Sequence, residues 1–293
     1  MKNVILTGGC GFIGTNLIKR LSNNNHKEYC ENIVVSIDDY STGSGDNEIE
    51  CNGVQYFGGD ISKVTDYSNI IDDCDIIFHL AAKARIQPSL VDPLPHIKNN
   101  FVSTLNVLEY ARQNNIPVVY AGSSSFWGGV YKNPYTFSKW QGEELCKMYE
   151  QIYGLNVTIC RFYNVYGDYM PTEGEYRTVL PIFLEQYKNG KPLTITGDGE
   201  QRRDFTHVDD ITKALESLIT SNENNEDAWE LGTGVNYSIN EVASMFVERF
   251  NTKLKYVDDQ PGNYRETLRK DNLSMDKLDF NPSDKLYRYI MSL

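Results

Sequence analysis

Short runs of β-branched residues alternate with longer segments of helical periodicity through the first half of the chain. This alternation is typical of βαβ units, in which helices cover both faces of a parallel sheet. A chain of 293 residues has room for such a sheet and for a second, smaller core. The pattern predicts strands over residues 3–6, 33–37, 54–57, 75–80, 118–121 and 157–161.

The same periodicity predicts helices over residues 12–23, 62–71, 96–114, 138–153, 209–219 and 239–250. After Phe162 glycine, proline and tyrosine become frequent, which is typical of loops that carry recognition. We therefore predict an α/β fold, a Rossmann-type doubly wound parallel sheet in residues 1–165 with a smaller C-terminal α/β lobe in residues 166–293. Some segments of the second part are expected to return to the first. The polar stretches 23–32 and 221–227 are interpreted as an inserted turn and a surface loop.

Charge and cysteine usage narrow the classes of ligand. The formal net charge of −12 disfavours nucleic acid and anionic membranes as partners. The six cysteines form no C-x-x-C pair and have no histidine at ligand spacing, which predicts free thiols and no metal site. No apolar run approaches the roughly 18 residues of a membrane-spanning helix. We expect a cytoplasmic protein that meets small anionic ligands with a local basic site.

The first predicted strand leads directly into the glycine-rich sequence TGGCGFIG, which opens a predicted helix. Glycines at this place permit a tight turn and let backbone N–H groups approach a pyrophosphate, while the helix N-terminus contributes about half a positive charge. The glycine spacing is longer than in the commonest dinucleotide fingerprint, so a plain glycine-rich turn stays the alternative. The pattern predicts a dinucleotide site at Gly8, Gly11, Phe12, Ile13 and Gly14.

Aspartates follow the second and third predicted strands. Asp38 and Asp39 come at the tip of the second strand, where a carboxylate can accept both ribose hydroxyls of an adenosine and repel a 2′-phosphate. Asp60 is placed either to face the adenine amino group or to cap the following helix, and one aspartate can do both. Capping or solvation is also the alternative for Asp38 and Asp39. We predict NAD, rather than NADP, as the cofactor.

Two of the 20 tyrosines precede a lysine by four residues, a spacing that chance produces about once in a chain of this composition. Tyr187 and Lys191 are separated by a helix-stop pattern that places them off a common face. Tyr135 and Lys139 instead open a long helix, where such residues share a face. A lysine ammonium and an oxidised nicotinamide would lower the tyrosine pKa from about 10 towards neutrality, which suits proton exchange with a hydroxyl. Ser123 can hydrogen-bond the same oxygen or simply shape a turn.

Taken in order, these motifs resemble the extended short-chain dehydrogenase/reductase family, specifically its NAD-dependent nucleotide-sugar epimerases and dehydratases. The resemblance runs from residue 2 to about residue 282 and includes TGGCGFIG, IDDYSTG, GGDI, HLAAKA, STLNVLEYAR, SSSFWG, YTFSK, RFYNVYG, GDGEQRRDFTHVDD and ELGTG. It implies an NAD-binding first domain and a substrate-binding lobe. It adds to the cofactor site Ser41, Thr42, Gly43, Ile61, Leu80, Ala81, Ala82, Asn100, Tyr135 and Lys139.

The resemblance also implies roles at the reacting end. Tyr135 takes the proton of the sugar 4-hydroxyl while hydride passes from C4 to the nicotinamide, Lys139 holds the nicotinamide ribose, and Ser123 polarises the 4-oxygen. The implied substrate-binding residues are Ser123, Tyr135, Asn164, Arg203, Arg265 and Thr267. Arg203 also meets the requirement that a diphosphate finds a guanidinium on an acidic protein. Arg265 would replace a family arginine whose place Gln260 takes, and the small Thr267 would leave room for a 2-acetamido group.

Ser124 and Ser125 favour one reaction among those of the family. Related 4,6-dehydratases and decarboxylases carry an acidic residue at one of these positions, and a serine cannot serve as a carboxyl acid. We therefore expect a nucleotide-sugar 4-epimerase, an isomerase that acts through a 4-keto sugar, with UDP-N-acetylhexosamines slightly favoured over UDP-hexoses. The alternatives are a dehydratase, decarboxylase or reductase of the same family, and a non-catalytic NAD-binding sensor or scaffold.

Three further expectations concern assembly, the sugar pocket and the remaining arginines. The family implies a homodimer. The segment between Gly128 and Tyr135 is short, which predicts a sugar pocket that is open or closed by the dimer partner. Arg161, Arg177 and Arg202 are interpreted as solvated or structural.

Overall fold

The computed structural model describes residues 2–22, 32–65, 67, 70–71, 73–221, 225, 227–278 and 280–293. In chain order the elements are β1 (Asn3–Thr7), α1 (Phe12–Leu21), β2 (Ile33–Asp38), β3 (Val54–Gly58), β4 (Ile76–His79), α2 (Ile86–Val91), α3 (Pro93–Asn114), β5 (Val118–Ser123), α4 (Pro134–Tyr153), β6 (Val157–Phe162), β7 (Val165–Tyr166), α5 (Val179–Lys188), β8 (Leu193–Thr196), β9 (Arg202–Asp204), β10 (Thr206–His207), α6 (Val208–Ser217), β11 (Trp229–Leu231), β12 (Asn236–Ser238), α7 (Ile239–Phe250), β13 (Leu254–Val257), α8 (Leu273–Lys277) and α9 (Leu286–Ser292). Short 3-10 helices lie at Gly45–Asn47 and Ser124–Gly128.

Seven parallel strands form the main sheet, in the order β11-β6-β5-β4-β1-β2-β3. The chain reverses its winding direction between β1 and β4, which is where open α/β sheets bind their ligands. The predicted Rossmann-type fold is confirmed, and each of the six predicted strands is present. The seventh strand, β11, was not predicted, because three residues are too few to show a period. It joins the sheet edge by pairing with β6.

Alternate residues of the sheet strands point to opposite faces and build two cores. On one face Ile5 and Ile77 pack with α3 and α4, whereas on the other Leu6 and Phe78 pack with α1 and α6. A third cluster of buried residues, around Phe246 in α7, belongs to the C-terminal part. Because α6 and β11 pack with the first part of the chain, segments after residue 165 do return to it. The domain boundary at that residue stays a prediction.

The predicted helix over residues 62–71 is wrong for those of its residues that the structure describes, which form turns and irregular chain. The Asp60 carboxylate accepts hydrogen bonds from the Ser62 backbone and hydroxyl, at 2.9 and 2.7 Å, and so supports a tight local turn. Residues 66, 68 and 69 lie outside the described residues, as do 23–31 and most of the predicted loop at 221–227.

Helix α4 begins at Pro134, four residues before its predicted start. The Asn133 side chain accepts a hydrogen bond from the Thr136 backbone at 2.8 Å, and Pro134 occupies the first helical position. The early start brings Tyr135 into the first turn of the helix.

Within the described part of the chain, no helix combines the length and hydropathy that crossing a bilayer requires. No group of three or more histidine, cysteine, aspartate or glutamate side chains is arranged there to hold a metal ion. The described cysteines, Cys10, Cys51, Cys74, Cys146 and Cys160, are free thiols, and Cys30 lies outside the described residues.

Arg161 is the largest fully buried side chain and joins three elements of the fold. From β6 its guanidinium donates to Glu143 of α4 at 2.8 Å, to Glu230 of β11 at 2.9 Å and to Asp227 at 2.8 Å. It also lies 3.9 Å from the centre of the Phe126 ring. Burial raises the pKa of Glu143 and of Glu230, and the guanidinium opposes that rise. Arg161 is therefore structural, in agreement with the sequence interpretation.

We expect Arg161→Met to lower the free energy of unfolding by about 3–5 kcal/mol, because it leaves two buried carboxylates without a positively charged partner. Protonation removes those stranded charges, so the deficit is largest at neutral pH and shrinks in acid. Urea unfolding at several pH values measures this. The control is Arg112→Met, which breaks an exposed pair with Glu109 and is expected to lose less than about 1 kcal/mol. Equal losses in the two variants would contradict the assignment.

Candidate active site

A single cavity at the carboxyl ends of the sheet strands collects most of the predicted site residues. From the predicted cofactor set it is lined by Gly8, Gly11, Phe12, Ile13, Gly14, Asp38, Asp39, Ser41, Thr42, Asp60, Ile61, Leu80, Ala81, Ala82, Tyr135 and Lys139. From the predicted substrate set it is lined by Ser123, Tyr135 and Asn164. Five predicted residues lie outside its wall, namely Gly43, Asn100, Arg203, Arg265 and Thr267.

The glycine loop between β1 and α1 is packed too closely for side chains. Gly8 has φ +78°, and a Cβ there would lie 2.8 Å from the Ala81 backbone. A Cβ on Gly14 would lie 2.1 Å from the Gly8 carbonyl oxygen, and one on Gly43 would lie 2.5 Å from the Cys10 carbonyl oxygen. The first N–H groups of a helix have no partner within it, so the start of α1 can receive an anionic group. Gly43 therefore packs against the backbone of this loop at Cys10.

The aspartates after β2 and β3 lie at one end of the cavity. The Cys10 N–H donates to one Asp38 oxygen at 2.9 Å, and the Tyr40 N–H donates to the other at 2.8 Å. Burial raises the pKa of Asp38, and these backbone donors oppose the rise. Asp60 lines the cavity, as the interpretation of it as an adenine contact requires. Its expected role as a helix cap is wrong, because the described residues after it form a turn, which its carboxylate supports.

Tyr135 and Ser123 meet at the other end of the cavity. The Tyr135 hydroxyl donates to Ser123 Oγ at 3.4 Å, and Ser123 Oγ lies 2.9 Å from Ser125 Oγ. Ser123 ends β5, and Tyr135 is held by two contacts of its backbone. Its N–H donates to Ser89 Oγ at 3.1 Å, and its carbonyl accepts from Ser138 Oγ at 2.8 Å.

Burial raises the pKa of the Tyr135 phenol in the protein without NAD. The lowered pKa was predicted from Lys139 together with an oxidised nicotinamide, and it stays a prediction for the NAD-bound protein. The Ser123 hydroxyl and the Arg85 guanidinium oppose the rise. The prediction counted a nearby charge but not the loss of hydration, which disfavours phenolate.

Lys139 is buried one helical turn after Tyr135. Its Nζ lies 4.4 Å from the centre of the Tyr120 ring. Burial lowers the pKa of Lys139 to about 8, while the Glu143 carboxylate opposes that change. The Tyr120 hydroxyl donates to the Lys139 carbonyl at 3.2 Å, in space that a Cβ on Gly142 would fill.

Asn100 connects the chain after β4 to helix α4 rather than lining the cavity. Its Oδ1 accepts from the Lys83 N–H at 2.8 Å, and its Nδ2 donates to Ser138 Oγ at 2.9 Å. Asn100 therefore positions the chain around the cavity, and its contact with the cofactor stays a prediction.

The predicted substrate residues divide between the cavity wall and the layer behind it. Asn164 lines the cavity and donates from Nδ2 to Thr267 Oγ1 at 3.2 Å. Arg203 stacks 4.3 Å over the ring of Tyr264, which lines the cavity. The roles of Asn164, Arg203 and Thr267 towards substrate stay predictions.

The other arginines of the sequence analysis are paired with carboxylates. Arg265 is exposed and pairs with Asp198 at 2.8 Å, so its contact with a phosphate stays a prediction. Arg177 pairs with Glu185, and Arg202 pairs with Glu241 at 2.9 Å.

Tyr264 lines the cavity and packs against the start of the short segment after Gly128. A Cβ on Gly128 would lie 2.6 Å from the Tyr264 ring. The Asn133 side chain donates to the Gly262 carbonyl at 3.1 Å and ties the two segments together. The expectation of a sugar pocket that is open or closed by a dimer partner stays a prediction.

The second tyrosine–lysine pair is arranged as predicted. Helix α5 ends at Lys188, and Gly190 has φ +65°, so Lys191 lies beyond the helix that carries Tyr187. The Tyr187 ring stacks on Phe250 with 4.3 Å between ring centres.

Several cavity residues were missed by the sequence analysis: Lys83, Ala84, Arg85, Ile86, Asn99, Ser103, Pro171, Tyr176, Thr178 and Tyr264. Lys83 and Arg85 follow β4 directly, so the rule that ligands bind beyond strand ends could have found them. Of the others, Ala84 ends the motif HLAAKA and Ile86 begins α2, while the rest come from α3 or from loops that no motif marks.

The comparisons with known proteins agree with this geometry. The family model described as the NAD dependent epimerase/dehydratase family matches residues 4–232. The chain belongs to this family. It is 31% identical over 276 residues to the "Putative UDP-glucose 4-epimerase" of Methanocaldococcus jannaschii, which covers 88% of this chain and 86% of that relative.

Members of the family with different activities are similar to this chain. The UDP-N-acetyl-alpha-D-glucosaminuronate decarboxylase of Bacillus cytotoxicus is 28% identical over 260 residues, 83% of this chain and 78% of its own. The UDP-N-acetylglucosamine 4-epimerase from Methanobrevibacter ruminantium M1, solved with UDP-N-acetylmuramic acid, has a TM-score of 0.89 at 29% identity. That structural match covers 99% of this chain and 96% of that one.

The family uses NAD, and the residues present fit this cofactor. Gly14 packs directly against the Gly8 carbonyl with no side chain between them, so that a pyrophosphate can approach the N–H groups at the start of α1. The carboxylates of Asp38 and Asp39 stand where an adenosine ribose is expected and would repel a 2′-phosphate. Among the described residues that line the cavity, the basic ones are Lys83, Arg85 and Lys139, which follow β4 or lie on α4. NAD is therefore the cofactor, as predicted.

We expect Gly14→Ala to weaken NAD binding by about tenfold or more, because the added methyl group pushes α1 away from the Gly8 carbonyl. Calorimetric titration measures the affinity, and thermal melting shows whether the variant folds. The control is Gly45→Ala, whose added Cβ meets no atom within 4 Å. An unchanged affinity for NAD in Gly14→Ala would contradict the assigned loop geometry.

We expect Lys139 to titrate near pH 8 in the cofactor-free protein, as an ammonium below that pH and as a neutral amine above it. Burial disfavours the charged form, and so moves the pKa down from the ordinary 10.5. The ¹³Cε resonance of labelled lysine reports this titration, and Lys139→Arg assigns the resonance by removing it. A Lys139 midpoint above pH 10 would show that the side chain is hydrated.

Proposed function

We propose that the protein is an NAD-dependent 4-epimerase of nucleotide-diphosphate sugars, with UDP-sugars as its substrates. The observation that carries the proposal is the Tyr135–Ser123 contact at the wall of the cavity that holds the NAD residues. Two hydroxyls that converge on one point can both contact a single sugar oxygen. One of them can exchange a proton with it.

The chain's own residues divide the work of the reaction. Tyr135 exchanges the proton of the sugar 4-hydroxyl, and Ser123 holds the same oxygen. When bound, NAD accepts a hydride from the sugar and returns it. Because burial raises the pKa of Tyr135, its phenolate needs cations nearby, and the Lys139 ammonium and the Arg85 guanidinium are the candidates.

The distribution of carboxylates favours epimerisation over dehydration or decarboxylation. Among the described residues, the carboxylates that line the cavity are Asp38, Asp39 and Asp60, which follow β2 and β3. Ser123 and Tyr135 lie at β5 and α4, across the sheet from them. Glu143, the buried glutamate of α4 one turn after Lys139, is bound to the buried Arg161. Ser124 and Ser125 stand where the other reactions would need a carboxyl acid.

Assembly and location follow the family as predictions. A homodimer and a cytoplasmic location are consistent with the proposed activity. The small Thr267, which hydrogen-bonds to Asn164, favours a sugar with a 2-acetamido group, as predicted for a UDP-N-acetylhexosamine, and this argument places no restriction on the group at the sugar C6.

Incubation with UDP-N-acetylglucosamine, UDP-glucose and UDP-glucuronic acid, followed by separation and mass analysis of the products, tests the activity. An isomer of unchanged mass is expected from at least one of them. Loss of water or of carbon dioxide would establish the dehydratase or decarboxylase alternative. A protein that binds NAD but converts no sugar would be the non-catalytic alternative.

Tyr135→Phe is expected to keep NAD bound and to lower turnover by about 10²–10⁴-fold, because the proton exchange loses its donor and acceptor. The control is Tyr187→Phe, which alters the other tyrosine of a tyrosine–lysine pair and should leave turnover within about twofold. Unchanged turnover in Tyr135→Phe would remove this residue from the mechanism.

A further inference from the structure

Arg85 has an unusual backbone conformation at the wall of the cavity. It precedes α2 with φ +110° and ψ 136°, a region that residues with side chains rarely adopt. Its Nε donates to the Tyr176 carbonyl at 2.9 Å. Such conformations persist where the surrounding structure holds them, and they occur often at ligand sites. This conformation turns the chain after β4 so that Arg85 lines the cavity.

The Arg85 guanidinium lacks an anionic partner. Among the described residues no carboxylate forms an ion pair or hydrogen bond with it, whereas Arg161 and Arg177 are paired with carboxylates. Arg203 is likewise half-buried and, within the described part of the chain, without a carboxylate partner, and its guanidinium donates to the Arg202 carbonyl at 2.8 Å. Burial lowers the pKa of Arg85, which shows that its hydration is reduced. A half-buried cation without an anion is unfavourable, so a bound anion would stabilise this arrangement.

Arg85 lies close enough to Tyr135, at the end of the cavity where the reaction is proposed, for the two charges to interact. Its charge acts on Tyr135 and on Tyr264, both of which line the cavity. The start of α1, where the pyrophosphate of NAD is expected, follows β1, the neighbour of β4, and the aspartates after β2 and β3 lie beyond it; Ser123 lies on the other side of β4, at the end of β5. Arg203, which stacks over the Tyr264 ring, is the arginine predicted for the sugar diphosphate. The anion that faces Arg85 is therefore expected on the sugar itself.

We infer that the sugar of the natural substrate carries a carboxylate, as in a nucleotide-activated uronic acid, and that Arg85 binds this group. This inference rests on the proposed function. With Nε held by Tyr176, the Nη donors of Arg85 remain for the ligand, and a guanidinium fits a planar carboxylate better than any other side chain. Arg85 then determines specificity, while Tyr135 and Ser123 perform the proton exchange.

Steady-state kinetics and calorimetric binding with UDP-glucuronic acid, UDP-glucose and UDP alone test the inference. The wild-type protein is expected to favour UDP-glucuronic acid over UDP-glucose. Arg85→Gln is expected to lower the ratio of the two kcat/KM values on the order of 10- to 100-fold, because a charge-assisted contact to the carboxylate is lost. Its affinity for UDP should stay within about twofold of the wild type.

Arg177→Gln is the matched control, because it makes the same substitution in an arginine that is paired with Glu185 and does not line the cavity. It should leave the ratio unchanged. Arg85→Lys keeps the charge without the planar fork and should give an intermediate ratio. NAD affinity and thermal melting show that each variant is folded.

Three results would overturn the inference. One is a wild-type protein that binds UDP-glucose as well as UDP-glucuronic acid, which needs no variant to observe. The second is an unchanged ratio in folded Arg85→Gln. The third is an equal loss for both sugars and for UDP, which would assign Arg85 to the diphosphate. If only neutral sugars are converted, the epimerase proposal holds and the role of Arg85 is overturned. If UDP-glucuronic acid is bound selectively but not converted, the role of Arg85 is supported and the epimerase proposal is overturned.

Discussion

Helix α4 can lie against strand β5 because Gly142 leaves space for the Tyr120 hydroxyl, which donates to the Lys139 carbonyl. This packing sets the height of the helix relative to the strand end. The first helical turn then brings Tyr135 within reach of Ser123, and the second buries Lys139 beside the Tyr120 ring. The positions of Tyr135 and Lys139 that the proposed reaction requires thus depend on one contact between α4 and β5. The residues that form this contact also belong to the core of the protein.

Buried charged side chains lie next to the contact between α4 and β5. Glu143, one turn after Lys139, raises the pKa of that lysine and binds Arg161, which in turn binds Glu230 of β11. Burial removes hydration from each of these charged side chains, which costs free energy. The attraction to the neighbouring opposite charge offsets part of that cost. The network connects the reacting end of the cavity to the outer edge of the sheet. It therefore links the late strand β11, far along the chain, to the position of α4.

The two ends of the cavity carry opposite charge on a chain whose formal net charge is −12. Asp38 and Asp60 follow β2 and β3, whereas Lys83, Arg85 and Lys139 follow β4 or lie on α4. The parallel sheet separates the two groups because each strand delivers its following loop to the same edge at a different place. A ligand with hydroxyls at one end and anionic groups at the other matches this distribution, in keeping with NAD and a nucleotide sugar.

Local patterns in the sequence determined six strands of the main sheet, the glycine loop after β1 and helix α7, because near neighbours along the chain decide periodicity and capping. For α7 the predicted and observed ranges agree. Contacts distant in sequence decided the rest. The three residues of β11 become a strand only by pairing with β6, and Arg85 and Tyr264 become cavity residues only when the fold brings their loops together. The raised pKa of Tyr135 likewise depends on burial, since the hydration that a side chain loses is a property of everything packed around it.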